Sequence, residues 1–118
     1  MDHDSEIRDE GDLVEALDSV ASTAEDCAAA CLEAMEHHDG GAGNTLRLIA
    51  ALALVAAERA RLGESADLGH ALSLCARMID SASAKLDRIG SGGELAAERA
   101  RSCTAECRRA LMLLYVTP

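Results

Sequence analysis

The sequence predicts an all-α fold, an up-down-up-down four-helix bundle. Three observations lead there. The chain has 118 residues and is 49% hydrophobic, yet it holds no Trp, no Phe and one Tyr, so Ala and Leu must build its core. Strands favour β-branched and aromatic residues, whereas Ala and Leu head the helix scale. Apolar residues also recur in alternating steps of four and three along four segments, the period of a helix with one buried face. Finally, the segments are separated by short Gly-containing loops, and the only proline is Pro118. One domain is expected at this length, a bundle over residues 12–118 behind an acidic disordered tail over residues 1–11.

The first helix is expected over residues 12–36 or 12–38. Asp12 with Glu15 makes a capping box, and Gly40-Gly41 supplies the stop. Its seam is Leu13, Leu17, Val20, Ala24, Cys27, Cys31, Ala34 and His38, flanked by Val14, Ala21, Ala28 and Met35. Asn44 is a candidate cap for a second helix over residues 45–62. The expected core of that helix is Leu46, Leu48, Ile49, Leu52, Leu54 and Val55 with alanines between them, apolar nearly all round. Such a helix is either central or covered by another subunit, and an oligomer contact is expected.

Ser65 is the candidate cap of a third helix over residues 65–89, with the seam Leu68, Leu72, Cys75, Ile79, Ala82, Leu86 and Ile89. Ser91 with Glu94 forms a second capping box. The fourth helix follows to about residue 116, with the seam Ala96, Ala100, Cys103, Cys107, Ala110 and Leu114.

A net charge of -10 argues against nucleic acid and against an anionic membrane surface. The acidic N-terminus lacks an apolar h-region, and the longest apolar run, residues 48–57, is about half a membrane span. A cytoplasmic setting is therefore expected, in which thiols stay reduced. Five cysteines, an odd number, fit a closed disulfide framework poorly.

All five cysteines fall on interior seams. Cys27 and Cys31, and again Cys103 and Cys107, stand at i and i+4, one above the other on one helix face. The C-terminal ends of the first and third helices share one end of the bundle with the N-terminal ends of the other two. At ~1.5 Å per residue from that end, Cys31 falls about 10 Å deep, Cys27 and Cys103 about 15 Å, and Cys75 and Cys107 about 21 Å. Met78 lies beside Cys75, and Met35, His37 and His38 lead toward the mouth.

Thiolate and thioether donors suit Cu(I), which accepts two or three sulfur ligands. Zn(II) would want a tetrahedron, which Cys27, Cys31, Cys103 and Cys107 could supply. A third reading keeps the thiols as small core hydrophobes in a structural or oligomerisation bundle that has lost metal binding. Enzymatic activity is not expected. No seam carries a carboxylate pair or a Glu-x-x-His motif, and nothing orients a base toward a thiol.

Asp26-Cys27-Ala-Ala-Ala-Cys31-Leu-Glu-Ala-Met35-Glu-His37-His38, the Ala/Leu-rich second helix, Leu74-Cys75, and Cys103-Thr-Ala-Glu-Cys107-Arg-Arg together resemble the bacterial copper storage proteins, over residues 12–114. The resemblance implies a cytosolic four-helix bundle lined with Cu(I)-binding cysteines, and a tetramer. It maps Cys27, Cys31, Cys75, Cys103 and Cys107 onto core ligands, and Met35, His37 and His38 onto a mouth that admits copper. This chain departs from the family in having few cysteines and none on the second helix. About two to four Cu(I) ions match its ligand count, a capacity suited to sequestering or buffering a few ions rather than to bulk storage.

Overall fold

The computed structural model describes residues 2–37, 40–63, 65–88 and 93–116, and side chains only from residue 11 to residue 115. Four helices follow in order: α1 (Asp2–Met35), α2 (Gly41–Leu62), α3 (Leu68–Leu86) and α4 (Glu94–Val116). Among the described residues there is no strand. Consecutive helices pack side by side and α4 closes the square against α1, while α2 and α4 touch across one diagonal. This is the expected up-down-up-down bundle.

The interior is lined largely with alanine. Ala16, Ala24, Ala53, Ala56, Ala100 and Ala110 are fully buried, with Leu46, Ile49, Leu68, Leu72 and Ile79 filling the space between them. A small side chain at a crossing lets two backbones approach closely, which compensates for the missing aromatics. The described seam residues of α1 and α3 are buried throughout. In α4 they are buried as far as Ala110, and Leu114 is partly buried.

Four boundaries differ from expectation. α1 is helical from Asp2, so Asp12 lies inside the helix and not at its cap. α2 starts at Gly41 because Gly40, at φ 70°, turns the chain into it in a conformation that glycine tolerates. Asn44 therefore sits in the first turn, its N–H donating to the Gly40 carbonyl at 3.0 Å. α3 begins at Leu68 behind Asp67, with no side-chain cap, while the Ser65 carbonyl accepts from the Leu68 N–H at 3.2 Å. α3 ends at Leu86, and Ile89 and Ser91 lie outside the described residues.

A fifth difference concerns which way α2 faces. Leu48, Leu54 and Val55 are exposed by 44–50%, against the expected core role. Each helix of a square bundle has one buried face, and in α2 that face is Leu46, Ile49, Ala50, Ala53, Ala56, Ala57 and Ala60. The larger side chains were the better candidates by hydrophobicity, but close approach between helices selects the small ones. Val14 on α1 is likewise exposed.

Candidate thiol sites

Regular helix fixes the two thiol pairs. α1 holds Cys27 and Cys31 on its buried face between Ala24 and Ala34, and α4 holds Cys103 and Cys107 between Ala100 and Ala110. None of these four thiols is solvent-accessible, and Cys75 on α3 is nearly as buried. All five are free. Intrahelical bridging is geometrically disfavoured, because i,i+4 Cβ atoms stand about 5–6 Å apart while a disulfide draws them to ~4 Å.

Within each pair the thiols touch. The hydrogen bond that Cys27 donates to Cys31, together with burial and the charge of the Cys31 thiolate, pushes the Cys27 thiol up. The same bond holds Cys31 below the ordinary thiol range against the opposing effect of burial. The pair therefore loses its two protons in separate steps, the first more easily than the second. At the other pair, the hydrogen bond with Cys103 and then burial push Cys107 up. Cys75 is raised mainly by burial and then by Cys107, with the Arg59 guanidinium acting in the opposite direction.

The helices bring these residues together only in part. Cys75 is within electrostatic reach of Cys107, as the depth reckoning expected. Yet no three Cys, His, Asp or Glu side chains converge on a common point among the described residues. The arrangement is therefore two separate pairs, with no four-thiol centre. Met35 is half-buried and packs against the core one turn beyond Cys31. Met78 is 39% exposed and stands away from the interior. His37 is exposed in the turn after α1, and His38 lies outside the described residues.

Two features went unnoticed in the sequence. Arg59, on α2, lies near Cys75 and also pairs with Asp67 at 4.0 Å. Position along the α2–α3 hairpin gave only a partial signal, since Arg59 stands one turn before the end of α2 and Cys75 two turns into α3. The second is a shallow groove between α1 and α4, lined by Ala30, Glu33, Ala34, His37, Leu95 and Ala96. It lies over the turn that carries Cys31, with His37 at its edge. Neither a protein-family model, nor a curated protein, nor a solved structure matches this chain.

Proposed function

We propose that this chain sequesters Cu(I), one ion at each CxxxC pair. The observation that carries this reading is the pairing itself: two thiols in mutual contact on one helix face, held in an apolar core, twice over. Two sulfur donors suffice for Cu(I), whereas Zn(II) wants four ligands, and no such group converges among the described residues. Cys75 serves as an auxiliary donor beside Cys107. Met35, His37 and His38 offer transient ligands beyond Cys31 in the sequence, and of these His37 lines the α1–α4 groove. The protein acts without catalysis, as a cytoplasmic buffer akin to a thiol-poor copper storage protein.

Binding exchanges protons for metal. Cys27 and Cys107 keep their protons in the metal-free form, so copper must displace them and affinity falls as pH is lowered. The test is an anaerobic titration of the reduced protein with Cu(I) against a competing chelator. Two tightly held ions per chain are expected, with one lost in Cys27→Ser/Cys31→Ser and the other in Cys103→Ser/Cys107→Ser. Failure of the wild type to retain copper would sink the reading. One retained Zn(II) that both double variants abolish would establish a shared four-thiol site instead.

A further inference from the structure

α2 carries a second seam on the side facing away from the core. Asn44, Leu48, Ala51, Val55, Glu58 and Leu62 follow one another in steps of four, three, four, three and four, and all six are exposed. Val55 at its centre is 48% exposed and Leu62 at its end 68%. That is the a/d spacing of a helix that packs against another helix, and the three other helices of the square leave this face open. By helical projection, Arg47 and Glu58 stand on the same flank of the seam, about 20° apart. Neither makes an ion pair among the described residues, although Arg59 and Arg61 of the same helix both do.

We propose that this face pairs with its equivalent on a second copy of the chain, α2 against α2 in antiparallel orientation across a two-fold axis. In an antiparallel pair, a positions face d positions, which sets Val55 against Ala51 of the second copy and Ala51 against its Val55. The small Ala51 side chain admits the close approach. In the same register, Arg47 comes level with Glu58 of the second copy, and the two-fold axis repeats that contact at the other end. Charge complementarity thus identifies the occupant: the two unpaired ions on this flank satisfy each other only between copies. The position also reduces the repulsion between two chains of charge -10, because residues 41–57 include no Asp or Glu.

A bilayer is the rival occupant, since α2 is long and apolar enough to cross a membrane, with a mean hydropathy of 1.2 over its best window. Sedimentation equilibrium of the reduced full-length chain across the micromolar range decides between them. A species of twice the 12.3 kDa chain mass is expected. Val55→Glu should be monomeric with its helical circular dichroism intact. Arg47→Glu and Glu58→Arg, both at exposed sites that leave folding unaffected, should each weaken the dimer by about tenfold, because two contacts become repulsive. The combined Arg47→Glu/Glu58→Arg variant should restore it, a result that nonspecific apolar association would not give. A wild type that stays monomeric throughout, or a combined variant as weak as the single ones, would overturn the proposal. So would a monomer that floats with phosphatidylcholine vesicles through the Val55 face.

Discussion

At the scale of single residues, the thiols govern the response to pH. Cys27, Cys75 and Cys107 are all raised, by thiol hydrogen bonding or by burial. The folded chain therefore holds protons that the unfolded chain releases above its ordinary thiol pKa of about 8.5. Stability is fully present below that value and declines as pH rises beyond it, by up to about 1.4 kcal/mol per pH unit for each raised thiol. Cys31 works in the other direction, but its lowered value confines its effect to pH below that of the unfolded thiol. The urea midpoint of reduced, metal-free protein should fall steadily from pH 8.5 to 10. The fall should flatten in Cys27→Ala/Cys75→Ala/Cys107→Ala, and a level wild-type profile would contradict the burial of these thiols. Most of the site was readable at this scale: every described cysteine expected inside is inside. His37 and Met78 were less readable, because whether a residue at a helix end or beside a seam turns inward depends on its neighbours.

At the scale of the helix, alanine decides how the elements meet. α2 buries four consecutive seam alanines, Ala50, Ala53, Ala57 and Ala60, while larger neighbours point outward. Sequence hydrophobicity ranked Leu48, Leu54 and Val55 as core, and the geometry reversed that order because helices approach most closely over small side chains. The same tight approach makes the interior intolerant of added volume. Ala100→Leu, at a fully buried position of α4, should cost about 1–3 kcal/mol in denaturant unfolding. Ala105→Leu, on the exposed face of the same helix, should stay within about 0.5 kcal/mol of wild type. Equal costs at the two sites would mean that helix propensity, and not packing, controls α4. The ion pairs between elements, Arg61 with Glu25, Arg101 with Asp87 and Arg108 with Asp80, are all substantially exposed and orient the helices more than they stabilise them.

At the scale of the molecule, the bundle and its thiol pairs are one thermodynamic system. An ion held by the folded chain alone raises stability by mass action, about 4 kcal/mol when free copper is a thousandfold above Kd. Anaerobic loading should thus raise the thermal midpoint by at least ~10 °C. Cys27→Ser/Cys31→Ser should keep part of that gain, because Cys103 and Cys107 lie on a different helix. An unchanged midpoint on loading would indicate that copper sits on surface groups and not in the core.

The sequence by itself determined four helices, the inward seams of α1, α3 and α4 and the burial of every cysteine, because helical periodicity fixes where a side chain points on its own helix. Connectivity added the approximate depths, enough to bring Cys75 near Cys107. Only the tertiary structure decided that the four paired thiols remain two pairs, that Arg59 approaches Cys75, and that the Leu48–Val55–Leu62 face of α2 turns outward. Distances between helices depend on crossing angle, axial offset and closeness of approach. Those are set jointly by all four alanine-rich surfaces, and no single segment carries them.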